Sequence, residues 1–166
     1  MRDAFSIRRA SPRDAAAIAD FNSAMALETE GRILSAEVVL AGVSRLLQTP
    51  AFGFYLIAES EDKPIACLMV THEWSDWRNG LFWWIQSVYV QAGWRRCGVY
   101  RSLYAFVREL ALPEACVCGF RLYAEEDNAA AHATYLALGM ARTGYRVYEE
   151  IKPPALERAL TSDVLR

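Results

Sequence analysis

Residues 81–124 constrain the fold more than any other part of this chain. An apolar run, Leu81–Val90, is followed by a helical pattern over Gly98–Leu110 and then by a second apolar run, Cys116–Ala124. Val99, Leu103, Phe106 and Leu110 recur at the spacing of one helix face, and Pro113 stops the helix. Strand, helix and strand of these lengths make a right-handed β-α-β crossover, which lays the two strands side by side and parallel.

The rest of the chain builds an antiparallel sheet around that unit. Ala4–Arg9 reads as a first strand, and Ser11-Pro12-Arg13-Asp14 as a helix start, with Ser11 as cap and Pro12 at the first helical position. Ile18, Phe21 and Met25 carry this helix to Glu28-Thr29-Glu30-Gly31. Ser35 opens a second helix whose core side is Val39, Val43, Leu46 and Leu47. Phe52–Glu59 and Ile65–His72 form a hairpin, and Asn79-Gly80 is a turn before the strand Leu81–Val90. After the crossover come a helix, Asn128–Leu138, and a final strand, Met140–Glu150. The order is β-α-α-β-β-β-α-β-α-β, an α/β class with a mixed, mostly antiparallel sheet. Residues 1–150 read as a single domain and 151–166 as a C-terminal tail.

A chain of 166 residues, 54% of them hydrophobic, can bury one sizeable core. Its 18 Lys and Arg against 20 Asp and Glu leave −2, which argues against nucleic acid as a partner. No apolar run approaches the ~18 residues of a membrane span, and the N-terminus has no apolar leader, so a soluble cytoplasmic protein is expected. Cys116 and Cys118 share a face of their strand and read as buried thiols. No second Cys or His pair answers them, so no metal site is expected.

Gln91–Arg101 joins a strand end to a helix start. The first turn of a helix has unpaired N–H groups and a partial positive charge, so it attracts anions. Gly98 lets a phosphate approach the backbone, and Arg95, Arg96 and Arg101 add cations with no acid between them. An ordinary loop with solvated arginines has the same composition.

Arg95-Arg96-Cys97-Gly98-Val99-Tyr100 resembles the Arg/Gln-x-x-Gly-x-Gly/Ala motif of the GNAT superfamily of acyl-CoA-dependent N-acetyltransferases. Ser87-Val88-Tyr89-Val90 is similar to that family's preceding strand. Asn128-x-x-Ala131-x-x-x-Tyr135-x-x-x-Gly139-Met140 is similar to its Asn-x-x-Ala-x-x-x-Tyr-x-x-x-Gly-Phe signature. The resemblance covers residues 4–150. Tyr100 departs from the small residue at the end of the loop motif, so its ring must point away from the phosphates or it narrows the loop.

The resemblance implies a GNAT-like fold whose parallel strand pair splays apart to hold acetyl-CoA as co-substrate. The diphosphate would sit on the backbone of Arg96–Arg101, and the pantetheine arm would pair with Val88, Tyr89 and Val90. The implied cofactor set is therefore Val88, Tyr89, Val90, Arg95, Arg96, Cys97, Gly98, Val99, Tyr100, Arg101 and Asn128. Asn128 and Tyr135, seven residues apart, share a helix face about 10 Å apart along the axis. Asn128 also suits a helix cap, and Tyr135 a core aromatic. By the resemblance Tyr135 is the general acid that protonates the leaving thiolate, and a backbone N–H at Val88 stabilises the oxyanion. Gln86 stands where relatives place a carboxylate, and it cannot act as a base. Glu28, Glu30, Glu73, His72 or water remain as candidates.

All five tryptophans fall between Trp74 and Trp94. Aromatic faces and acids together can bind a cationic amine. Glu28, Glu30, Glu73, Trp74, Trp84 and Gln86 are the candidate acceptor residues, with Trp74 and Trp77 read as lying in the connection before Gly80. The expected function is transfer of an acetyl group to a primary amine of a small molecule, with a homodimer as the assembly suggested. The alternatives are acetylation of a protein N-terminus or lysine, and a non-catalytic acyl-CoA-binding regulatory domain.

Overall fold

The computed structural model describes residues 4–152. The elements are β1 (Ser6–Arg9), α1 (Ala15–Glu30), α2 (Ala36–Gln48), β2 (Gly53–Ser60), β3 (Lys63–Ser75), β4 (Gly80–Val90), α3 (Val99–Ala111), β5 (Val117–Arg121) and α4 (Ala129–Ala137). They fall into two compact units that divide between Asp127 and Asn128.

The first unit holds one five-stranded sheet in the order β1-β2-β3-β4-β5. Every neighbouring pair is antiparallel except β4 and β5, which are parallel as the crossover requires. Ile18, Phe21 and Val43 from α1 and α2 pack on Tyr55, Ile57 and Cys67, alternate residues of β2 and β3. The residues between them, such as Leu56, Leu68 and Val70, are also fully buried and face the other side of the sheet. On that side α3 lies against β1 and β2 and buries Val99, Leu103 and Val107. Helices on both faces explain why β2 and β3 read as unbroken apolar runs rather than alternating ones.

The start of α1 is pinned to the sheet by charge. Asp14 is 4% exposed, and its carboxylate accepts from the Ser11 N–H at 2.7 Å and from two Arg8 nitrogens at 2.8 Å. Arg8 also donates to Glu59 on β2 at 2.9 Å. A carboxylate this buried is stable only when paired and hydrogen-bonded. The Arg8 guanidinium holds its pKa down at about 2, below the ordinary 3.8.

Four expectations change. β3 runs past His72 to Ser75, so Trp74 lies within a strand opposite Leu81, and only Trp77 occupies the turn. The pairing of Trp74–Ser75 with Gly80–Leu81 carries the ladder through polar residues that the apolar pattern had excluded. The second strand of the crossover shrinks to Val117–Arg121. Cys116 and Cys118 are exposed rather than buried, because they stand at the start of a short strand with no strand beyond it among the described residues. Residues 140–152 contain no strand, against the one expected over Met140–Glu150. A strand leaves half its backbone polar groups unpaired without a neighbour, and among the described residues no strand pairs with this stretch. Tyr145, Val147, Tyr148 and Ile151 there are exposed.

In the second unit the Asn128 side chain accepts from the Ala131 N–H at 3.0 Å and so caps α4. Of the tail expected over 151–166, residues 153–166 lie outside the described residues. Among the described residues no helix is long and apolar enough to cross a membrane.

Candidate active site

The parallel ladder between β4 and β5 begins at Leu81 and Val117 and ends at Trp84 and Arg121. β4 continues for six more residues, to Val90, with no strand on that side among the described residues. On its other side it stays paired with β3 as far as Val90 and Ala66, but the register slips. Gln86 pairs with Met69 and Tyr89 with Cys67, so Ser87 and Val88 together oppose the single residue Leu68. This is a β-bulge, and Ser87 takes a left-handed φ of 45° within it. A bulge bends a strand and re-aims its backbone. Here it falls where β4 has lost its β5 partner, so on that side the backbone groups of 85–90 have no strand partner among the described residues and can bond a ligand. The Cys67 thiol donates to the Ser87 carbonyl at 3.5 Å, and burial pushes that thiol up to about 12.

β4 leads through a short turn, Ala92–Trp94, into the Arg95–Gly98 loop and α3. Arg96 and Gly98 both adopt left-handed backbone, with φ of 62° and 82°. Such residues curl successive N–H groups around an anion-sized hollow. A Cβ added at Gly98 would meet nothing within 4 Å, so the loop opens outward at the residue that caps α3. The Ser102 N–H makes the first bond back into the helix, to Gly98 at 3.0 Å, so the N–H groups of Val99, Tyr100 and Arg101 precede the intrahelical ladder. The Tyr100 ring stacks on Tyr104 one helical turn away, with centroids 6.4 Å apart, which carries it along α3. The residue that departs from the loop motif therefore points down the helix.

The three arginines divide. Arg96 and Arg101 are exposed beside the loop. Arg95 is anchored: it donates to the Val90 carbonyl at 2.9 Å and to Glu28 at 2.5 Å, with its guanidinium 5.6 Å from the Tyr89 ring.

A cleft of about 390 Å³ lies between α1, α2 and the sheet, with Ser87 on its floor beside the bulge. Tyr55 and Asn22 share that floor, the Asn22 amide donating to the Tyr55 hydroxyl at 3.3 Å. The sequence reading passed over all three, because nothing in an apolar strand or helix marks such a polar residue as lining a cleft. The candidate acceptor residues reach this side of the sheet unevenly. Glu73 accepts from the Trp84 indole and from Arg121 at 2.7 Å, and Gln86 donates to Thr71 at 2.8 Å. These side chains share the face covered by α1 and α2. Glu28 accepts from Tyr89 at 3.0 Å, and its pKa falls below the ordinary carboxylate value because of Arg95 first and Tyr89 second. Glu30 borders the cleft and pairs with Arg32 at 3.3 Å. Each of the three glutamates thus has an arginine partner.

Two candidates are separated from the rest. Trp74 follows Glu73 on β3 and so takes the opposite face, and its partner Leu81 is seven residues before Val88, about 20 Å along the strand. His72 packs against Phe54 and Trp83, also on that opposite face. Tyr135 lies on α4, two turns from the Asn128 cap, and burial raises its phenol above the usual 10, so it holds its proton at neutral pH. Among the described residues no cluster of His, Cys, Asp and Glu is suited to a metal ion.

Residues 20–140 match the model of the acetyltransferase (GNAT) family. A possible acetyltransferase from Clostridium difficile 630 is 41% identical, over 90% of this chain and 99% of that one, with a TM-score of 0.83. Two more distant structures share the fold. A ribosomal-protein-alanine N-acetyltransferase from Brucella melitensis biovar Abortus 2308 is 17% identical over 90% of this chain and 100% of its own, with a TM-score of 0.72. An aminoglycoside N-acetyltransferase in complex with CoA is 14% identical over 92% and 98%, with a TM-score of 0.70. No curated protein matches the chain.

Proposed function

Since the chain belongs to the acetyltransferase (GNAT) family, whose members use acyl-CoA and act on amines, we propose that it transfers an acetyl group from acetyl-CoA to the primary amine of a small molecule, with Tyr135 as general acid. The observation that carries the reading is the free edge of β4 beyond Trp84, bulged at Ser87–Val88 and leading into the open Gly98 loop. A strand edge without a partner suits an arm that carries amides, and the loop beyond it suits a diphosphate. The two features follow one another along a single stretch of chain, in the order that a pantetheine arm and its diphosphate require.

Residues 1–150 act in this reading as one catalytic domain. Val88, Tyr89 and Val90 hold the arm, and the N–H groups of Arg96–Arg101 hold the diphosphate, with Arg96 and Arg101 adding charge. Bound acetyl-CoA supplies a thioester, an acyl group already activated toward an amine. The Val88 N–H donates to the acyl oxygen as it gains charge. The Tyr135 hydroxyl gives its proton to the sulfur as the thiolate leaves, a role that a phenol kept neutral by burial can fill. As the amine nitrogen bonds to the acyl carbon it sheds a proton that restores the Tyr135 phenol, and an ammonium must lose another proton before it can attack. Gln86 cannot take it, and Glu28, Glu30 and Glu73 are each held by an arginine, so water at the open cleft is the proton's exit.

Thiol release from acetyl-CoA, followed with a panel of small primary amines and with peptides bearing a free N-terminus, tests this. The expected result is release that depends on a small amine. Release with peptides alone would move the activity to protein acetylation. Acetyl-CoA binding without release on any amine would make the chain an acyl-CoA-binding regulatory domain.

A further inference from the structure

We propose that Gly42 keeps the α1–α2 cleft wide enough for the acceptor, and that this acceptor is a monoamine with an apolar body; the inference rests on the acetyl-transfer reading above. Gly42 lies in the interior of α2, where glycine is the least favourable residue after proline. Neither of the usual reasons for a glycine applies. Its φ is not left-handed, and an added Cβ would meet no heavy atom within 4 Å. What a side chain at this position would change is the cleft, because Gly42 forms part of its wall.

The chemistry of that wall selects the ligand. Met25 on α1 and Leu34, Val39, Val43 and Leu46 on or before α2 make it apolar. Apart from the Glu30–Arg32 pair at its border, the polar lining lies on the floor, where the Asn22–Tyr55 pair meets Ser87 at the Ser87–Val88 bulge. An amine placed with its nitrogen at the floor would lay its body between the two helices. A polycation finds little there. Glu30, the acid at the cleft, is paired with Arg32, and Glu28 and Glu73 are paired with Arg95 and Arg121. At about 390 Å³ the cleft is of ligand size.

Calorimetric titration of phenethylamine and of spermidine into the CoA-loaded protein reads the cleft without turnover. Phenethylamine is expected to bind at least about tenfold more tightly than spermidine. Gly42→Leu is expected to weaken phenethylamine at least about tenfold while leaving acetyl-CoA affinity unchanged, and Gly42→Ala to raise the melting temperature. Val39→Phe narrows the same wall and serves if Gly42→Leu does not fold. Equal or tighter spermidine binding, no phenethylamine binding, or unchanged affinity in a folded narrowed variant would overturn the inference. Expected binding with no thiol release on any amine would sink the acetyl-transfer reading and leave the cleft assignment standing. Release with other amines but no phenethylamine binding would do the reverse.

Discussion

Tyr135 and Cys67 show burial acting on two ionisable side chains with opposite consequences. Burial keeps the Tyr135 phenol protonated above its usual 10, which suits a proton donor. Tyr135→Phe removes only the hydroxyl, so kcat should fall about 10²–10⁴-fold with acetyl-CoA affinity little changed. In the wild type, rate should rise with pH as the amine deprotonates and fall only above pH 10, where the phenol itself ionises. A wild-type kcat in Tyr135→Phe, with chemistry rate-limiting, would return the residue to a packing role. Cys67, pushed up to about 12 and sealed in the core, should resist a thiol reagent in the native protein, while exposed Cys116 and Cys118 react. Equal labelling of all three would contradict the packing described. Among single residues, the Asn128 cap was legible in the sequence, because capping is a local contact of side chain and nearby backbone. The left-handed Ser87 was not. Serine carries no signature of positive φ, and the bulge arises from pairing with β3.

At the scale of elements, helix ends were read well and strand ends poorly. Helix ends are written in short-range chemistry: Ser11 and Asp14 before α1, Gly31 after it, and Gly98 before α3. Strand ends depend on a partner. β3 outran its apolar run because β4 supplied a ladder, and residues 140–152 form no strand because nothing pairs with them. The Arg8–Asp14–Glu59 cluster ties α1 to two strands and should be visible in the pH dependence of stability. Asp14 has a folded pKa of about 2 against an ordinary 3.8, so its contribution is full above about pH 5 and disappears as pH falls through 2. The difference corresponds to about 2 kcal/mol. Urea unfolding of wild type and Asp14→Asn should differ by about that amount at pH 7 and converge toward pH 2. A gap that stays constant with pH would remove the ion pair from the explanation.

At the scale of the whole molecule, the sheet carries two kinds of information. Its antiparallel part, β1 to β4, is sandwiched between helices, and its continuous apolar runs made the α/β class readable from sequence. The part proposed to bind acyl-CoA is a departure from regularity: a parallel pair that ends at Trp84, a bulge at Ser87–Val88, and a loop that opens at Gly98. The motif residues of the loop were visible because their spacing resembles a family's. The polar floor of the cleft between α1 and α2 was not, because it is assembled from Asn22, Tyr55 and Ser87, which lie far apart along the chain. Acyl-CoA binding along the edge of β4 and at the Gly98 loop is the step on which the proposed function depends. Calorimetric titration of acetyl-CoA into wild type and Gly98→Glu, with circular dichroism confirming the fold, tests it most directly. A carboxylate at the open loop opposes the diphosphate, a like-charge contact that costs several kcal/mol, so affinity should drop by about 100-fold or more. Equal affinity in the two folded proteins would contradict the claim.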